Sequence, residues 1–422
     1  MAAVDPPDRA HARRGAKLMS RAAVPAYLGA DFREAAPGHR FALYLPIWDQ
    51  RWRKTKSAPL EQLLPLTDDD RERLSALLER QHLLLRGAEQ VEPGSTLQLP
   101  ATSISPFSTG LGIEHPLENG FAFLTPYGLP YLAGSGVKGI VRQAARELYE
   151  GGDFEDQGRD WSWTEIEALL GSPGPDEGGE TERRRGALCF WDVFPKPGSG
   201  RHLVWEIMTP HQSEYYGDDT GQNPPHDNGA PVPIHFLAVP TNSAFHFHIQ
   251  CNRTLLGHSA PALLESSQGT GGPERWQALL QSLFAHAFAW LGFGAKTAVG
   301  YGALEVDERA LRQETEAREQ IRAAEQREQE LAKLPPGQRL AEELLEQRKD
   351  QTPTHKFLLD QLERGVVPAT EIAAVAAVAL EHIPQRRDEI RALGNKKKRD
   401  QRLNDLVEEE KRLQQLQDGA HS

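Results

Sequence analysis

Between His39 and Val306, short apolar runs broken by Gly, Pro and Asn alternate with amphipathic stretches of helical period. This is the pattern of a chain that mixes strands and helices. His39–Trp48 (HRFALYLPIW), Thr96–Ser103, Phe121–Thr125, Leu188–Phe194, His202–Met208, Pro233–Val239, Phe245–Cys251 and Ala303–Val306 predict strands. Asp68–Arg86 predicts a helix. Asp68, Asp69 and Asp70 mark its start, where the helix dipole favours anions, and Gly87 marks its end. In Ser135–Glu150, Val137, Ile140, Val141, Ala144, Ala145 and Leu148 recur at helical spacing, with Gly151-Gly152 as the stop. Trp163–Leu170 predicts a short helix and Glu274–Leu291 a buried one. Gly171–Gly179, rich in Pro, Gly and acid, predicts a mobile linker, and Pro210–Pro231 a long polar loop.

Beyond Asp307 the pattern changes. Glu308–Leu331 is rich in Glu, Gln, Arg and Ala, strong helix formers with few large apolar positions. Pro335-Pro336-Gly337 breaks it, and Glu371–His382 and Arg399–Leu416 predict further helices. Leu340, Leu344, Leu345, Phe357, Leu358, Ile372, Val375, Val378 and Leu380 supply apolar surface for a small helical domain or arm. Prolines at 335, 353, 368 and 384 interrupt the heptads a long coiled coil would need. No internal repeat recurs at a fixed period.

Composition narrows the class. With 422 residues the chain is long for one core, and two or three folded units are expected. Mean hydropathy is −0.56. No window holds the roughly eighteen apolar residues of a membrane span. The first twenty residues carry Arg9, Arg13, Arg14 and Lys17 without an apolar run, unlike a secretory signal. Cys189 and Cys251 cannot build a disulfide scaffold or a four-Cys zinc site. A reduced, cytoplasmic setting is expected.

The net charge of −12 hides an uneven distribution. Residues 1–56 hold 11 Lys and Arg against 5 Asp and Glu, whereas residues 57–302 hold 16 against 30 and residues 303–422 hold 21 against 25. An acidic middle argues against a protein that coats nucleic acid, since phosphate affinity scales with the cations presented. It leaves room for a defined groove. In the basic first segment Arg51, Arg53, Lys54 and Lys56 surround Trp52. Lys396-Lys397-Lys398-Arg399 forms a second run, which could meet RNA but is read in the first place as a solvated face.

Two glycine clusters stand out. Gly134-Ser135-Gly136-Val137-Lys138-Gly139 fits G-x-G-x-x-G between a strand-like run and a helix. A dinucleotide site would also need an acid ending a second strand about twenty residues on. Asp160 has the spacing but lies in GGDFEDQGRDWSWT, which does not read as a strand. The amides of Ser135–Val137 at a helix N-terminus, with Lys138 beside them, suit a polynucleotide phosphate. Gly292–Gly302 (GFGAKTAVGYG) reads either as an elaborate helix-to-strand turn or as a backbone that lets a phosphate chain approach closely, with Lys296 and Thr297 as donors and Tyr301 as a stacking face. The 210–231 loop gathers His211, Glu214, Tyr215, Tyr216, Asp218, Asp219, His226 and Asp227 without the spacing of a metal site, and its adjacent tyrosines suit stacking. His246 and His248 alternate with Phe245 and Phe247, which predicts a half-buried strand with both imidazoles on its wetter face. Neither a nucleophile elbow nor a reactive-cysteine context occurs.

Gly110-Leu-Gly112, His115-Pro-Leu-Glu-Asn-Gly120 and Gly128-Leu-Pro-Tyr-Leu-Ala-Gly-Ser-Gly-Val-Lys-Gly139, closed by Gly292–Gly302, resemble the RAMP superfamily of CRISPR-associated RNA-binding proteins. Met208-Thr-Pro-His-Gln212, on through Tyr215-Tyr216, and Pro231–Val239 are similar to the sixth-subunit family of type III-B (Cmr) effector complexes. The superfamily's turn usually reads Pro-Gly-Ser-Ser. Here Ala133 and Gly136 replace the proline and second serine, removing one hydroxyl donor.

The resemblance implies an α+β chain: a ferredoxin-like (RRM-type) core with insertions at 38–306, a basic, partly disordered tail at 1–37 and an all-α extension at 307–422. It implies a non-catalytic, RNA-binding structural subunit near the 3′ end of the CRISPR RNA, supporting target RNA binding in antiviral defence. Its partners would be CRISPR RNA, target RNA and the backbone, small and head subunits of the Cmr complex. It implies no cofactor, metal or membrane. The RNA-binding candidates are Ser135, Gly136, Lys138, Arg142, Gly292, Gly294, Lys296, Thr297, Gly300, Tyr301, His211, Tyr215 and Tyr216. The rival readings are a metal-dependent endoribonuclease using the 210–231 loop, Asp31 or Asp49, and a nucleotide-binding oxidoreductase.

Overall fold

A computed structural model of the chain describes residues 20–55, 60–151, 155–156, 159–172, 184–198, 203–209, 211–224, 231, 233–266 and 272–419. The expected tail up to residue 19, most of the Gly171–Gly179 linker and the His226-Asp227 pair lie outside the described residues. The chain divides into two compact units, Met1–Leu311 and Arg312–Ser422.

The strands of the first unit are β1 (Thr96–Ser103), the two-residue pairs β2 (Phe123–Leu124) with β3 (Leu129–Pro130) and β4 (Glu155–Asp156) with β5 (Arg159–Asp160), β6 (Leu188–Phe190), the hairpin β7 (Val204–Met208) with β8 (Ile234–Ala238), β9 (Ala244–Cys251) and β10 (Leu304–Val306). Its helices are α1 (Pro37–Ala42), α2 (Asp68–Val91), α3 (Gly134–Gly151), α4 (Trp163–Leu170), α5 (Ser213–Tyr216), α6 (Arg253–Ser259) and α7 (Arg275–His286). A π-helical turn, Ala287–Leu291, extends α7.

The main sheet has the order β10-β1-β9-β6, and each neighbouring pair is antiparallel. With α3 after β1 and α7 after β9, the chain order is the β-α-β-β-α-β of a ferredoxin-like unit. Strand periodicity sorts the faces. Leu97, Leu99 and Ala101 stand opposite Ile249, Phe247 and Phe245, and all six are buried. Phe247 meets Phe284, Phe288 and Phe293, at ring-centroid distances of 5.2, 5.5 and 5.0 Å, so α7 covers this face. Val137, Val141, Ala144 and Ala145 add the buried stripe of α3 to the same core. Gln98 and Pro100 pair with His248 and His246 on the other face. His248 is buried there rather than wet, with Trp191 packed edge-on against its ring.

Two local expectations are corrected. His39–Trp48 begins as helix α1, not a strand: Pro37 supplies a preset φ at the helix start, Phe41 and Arg40 are buried, and Pro46 lacks the amide a ladder needs. Within that run Trp48 makes only isolated bridges, to Arg21 and Lys54. Gly87 does not end α2, which runs four residues further to Val91. An interior glycine costs about 1 kcal/mol, and the carboxylate of Glu89 compensates by accepting from the amides of Gly94 and Thr96 and from the Thr96 hydroxyl. Asp160, in a stretch that does not read as a strand, ends β5 of a two-residue pair that lies outside the main sheet.

The second unit contains most of α8 (Glu308–Lys333) and all of α9 (Pro336–Glu346), α10 (Thr354–Glu363), α11 (Ile372–Glu381), α12 (Ile383–Arg391) and α13 (Lys396–Gly419). Its own core includes Leu344, Leu358, Val375, Ile390, Leu406 and Leu413. Arg327 on α8 reaches Glu342 and Glu346 on α9. His355, buried on α10, bonds Glu409 of α13 at 3.0 Å. Asp307, next to the division, is tied to the sheet: its amide donates to Pro100 and its carboxylate accepts from Thr102.

Candidate nucleic-acid interface

The turn into α3 is built from the backbone. A Cβ on Gly134 would lie 2.1 Å from the Phe190 carbonyl oxygen, so only glycine lets the helix start so close to β6. The Gly134 amide donates to the Asp192 carboxylate at 2.7 Å. The amides of Gly136 and Val137 turn back onto the Ala133 carbonyl. The expectation that the Ser135–Val137 amides all face outward is therefore corrected: the turn consumes two of the three, and Asp192 already places an anion at the helix start. Ser135 and Gly136 are exposed. A Cβ at Gly136 would meet only Leu132, at 3.5 Å, so the replaced serine would have fitted.

Lys138 is half-buried beside β6. Burial, and then the positive charges of Arg142 and Arg185, hold its ammonium below the usual lysine range, partly offset by the Cys189 thiol. Arg142 donates to the Leu170 and Gly171 carbonyls at 2.6 and 3.1 Å, closing the C-terminus of α4. Its charge thus serves the fold as well as the local field.

The second glycine cluster sits at the other edge of the sheet, feeding into β10. Gly292, Gly294, Gly300 and Gly302 all have positive φ. A Cβ would lie 2.2 Å from the Ser108 carbonyl oxygen at Gly294 and 1.8 Å from that of Phe293 at Gly302, whereas at Gly300 it would meet nothing. Most of this glycine content thus serves the chain's own backbone packing. Lys296, itself left-handed at φ 61°, directs its ammonium to Met208 Sδ at 2.9 Å and lies 5.1 Å from the Phe236 ring centroid. Burial lowers its pKa. Tyr301 donates to Glu206 at 2.9 Å and packs edge-on against Phe236. Burial, and then the Glu206 carboxylate, push its hydroxyl up to about 12. Both side chains are therefore turned onto the β7–β8 hairpin instead of outward. Thr297 opens a 3-10 turn between them.

That hairpin carries the third candidate group. After β7, Gln212 takes a positive φ and α5 follows. His211 is exposed, and Tyr216, 81% exposed, meets Tyr215 edge-to-face at 5.2 Å. Asp218 is used by its own loop: it accepts from the Thr220 hydroxyl and amide and from the Asn223 amide, which holds its pKa near about 2. The fold brings Lys296, Tyr301 and the root of the tyrosine loop to one hairpin, and leaves Lys138 and Arg142 near the opposite sheet edge. Among the described residues, no three His, Cys, Asp or Glu side chains converge as metal ligands would. Asp31 is paired with Arg33 at 2.6 Å, and Asp49 is engaged in a turn with Arg51 and Arg53.

Sequence reasoning missed Asp192, Glu206 and the role of His115. The His115 ring stacks on Phe41 at 3.8 Å; its Nε2 donates to the Phe41 carbonyl and its Nδ1 accepts from the Leu117 amide. The motif that carries the family resemblance is here a neutral imidazole locking a turn. The i, i+2 spacing of His115 and Leu117 was the available signal.

The family model described as "RAMPs: RAMP superfamily" matches residues 101–305. That stretch, which runs from the end of β1 through α3 and the β7–β8 hairpin and takes in both glycine clusters, is a RAMP superfamily domain. The chain is 27% identical over 235 residues to the CRISPR system Cmr subunit Cmr6 of Pyrococcus furiosus, a match covering 46% of this chain and 63% of that protein. It thus spans less than two thirds of that relative. Among solved structures, a chain of the type III-B Cmr-beta complex bound to cognate target RNA aligns at 18% identity and TM-score 0.35, covering 60% of this chain and 82% of the other. The crystal structure of Cmr6 from Pyrococcus furiosus aligns at 24% identity and TM-score 0.26, covering 50% and 97%.

Proposed function

We propose that the chain is an RNA-binding structural subunit of a type III-B CRISPR effector complex, placed near the 3′ end of the CRISPR RNA and supporting target RNA binding without itself cutting RNA. Its partners are CRISPR RNA, target RNA and the other Cmr subunits, and its setting is cytoplasmic. The observation that carries the reading is that the RAMP match spans both glycine clusters together with Lys138 and Lys296. The relative named as a Cmr subunit supports the choice of complex.

The Lys138–Arg142–Arg185 cluster is the phosphate-facing element, because three like charges near β6 repel one another until an anion joins them. Lys138→Ala should leave folding intact, weaken single-stranded RNA binding and reduce the salt slope of binding by about one unit. An unchanged slope would overturn this assignment. The same titration with Mg²⁺ present should leave the RNA whole. Cleavage that His211→Ala or Asp227→Ala abolishes would replace a structural subunit by an endoribonuclease.

A further inference from the structure

The turn at Asp49–Arg53 is built to present one side chain. Arg21 and Trp48 exchange backbone bonds at 2.9 and 3.1 Å, and Thr55 returns to Ile47 at 2.8 Å. Asp49, nearly buried, accepts from the amides of Arg51 and Arg53 and pairs with the Arg53 guanidinium at 3.0 Å. The Trp52 amide donates back to the Asp49 carbonyl. This framework holds Trp52 at φ 61°, the left-handed region that bulky side chains avoid. The strained residue is 53% exposed. Arg21 lies over it at 4.1 Å from the ring centroid and is fixed by a bond to the Gln50 carbonyl at 3.2 Å. A strained turn, anchored by a buried carboxylate, thus displays an indole backed by a guanidinium.

We propose that this Trp52–Arg21 ledge is a base-stacking platform for single-stranded RNA, separate from both glycine clusters. The proposal rests on the RNA-binding reading above. An exposed indole offers a π-face to any base, and a stacked guanidinium adds its charge to that face. The local charge favours a polyanion: Arg21 lies over the indole, and Arg51, Arg53 and Lys54 flank it in sequence, all exposed. The turn also belongs to the one segment of the sequence, residues 1–56, that is net basic, against an acidic 57–302.

The test uses the full chain with a labelled oligouridine and its abasic counterpart. Trp52→Ala should lower affinity for oligouridine roughly 5- to 100-fold without changing the salt slope, since no charge is removed. On the abasic strand the variant and the parent should bind alike. Trp52→Gly should lose the same affinity while unfolding at the same or a higher temperature, because glycine accepts the left-handed backbone without strain. Equal binding of oligouridine by parent and Trp52→Ala would overturn the platform and leave the RNA-binding reading standing. A parent chain that binds neither strand would overturn both. Retained RNA affinity with loss of a co-purifying subunit would show a protein contact and overturn the proposal.

Discussion

Gly294 and Gly300 share a backbone conformation and a motif but face different surroundings. Any side chain at Gly294 strikes the Ser108 carbonyl, whereas Gly300 faces open space. Gly294→Ala should therefore cost most of the fold's cooperativity. Gly300→Ala should cost only left-handed strain, about 1–2 kcal/mol. Thermal unfolding of the two variants side by side checks this, and equal losses would mean that strain alone decides. At His115 the consequence is pH dependence. Burial, together with the charge of Lys54, holds the folded imidazole below its ordinary 6.5. As pH falls the unfolded chain takes up the proton first, so the stability from this site is present above about 6.5 and drains away on acidification. Protonation also silences the Nδ1 that accepts from Leu117. Denaturant midpoints at about pH 7.5 and about pH 5.5 should fall further for the parent than for His115→Gln, and an equal fall in both would remove His115 as the cause.

Elements set by local chemistry were legible in the sequence. Thr96–Ser103 and Trp163–Leu170 form as expected to the residue, the latter because Ser162 and Glu165 make a capping box at its start. Helix α2 begins with the same device, Thr67 and Asp70 each bonding the other's amide. Thr67→Ala should cost about 1 kcal/mol, and circular dichroism with a denaturant midpoint reads the loss; no change would mean that packing alone holds the helix start. What the sequence concealed was tertiary. The run His39–Trp48 carries strand-like residues, yet Pro37 and the stacking of Phe41 on His115 decide for a helix. The glycine clusters were visible as clusters, but the partners that absorb them, Asp192 and the Ser108 carbonyl, are 58 and 186 positions away. Likewise Lys296 reads as an open donor and Tyr301 as an open stacking face because Met208, Phe236 and Glu206 come from a distant hairpin.

At the scale of the whole molecule, the division falls at Leu311–Arg312, a few residues beyond the composition change at Asp307, since Asp307 caps α8 and bonds Pro100. A fragment ending at Leu311 should keep RNA affinity, and residues 312–422 alone should unfold cooperatively around their own core. RNA binding by both fragments and the full chain, compared at two salt concentrations, checks the split. A large loss in the shorter fragment that vanishes at high salt would place phosphate contacts on Lys396–Arg399. The order β10-β1-β9-β6 carries one more consequence. The outer strands β6 and β10 are each three residues long, too short to template another chain's backbone. At this sheet a neighbour is therefore met by side chains and loops more readily than by extending the ladder. A sheet with blunted margins can stand beside a neighbour and part from it without unpicking its own hydrogen bonds.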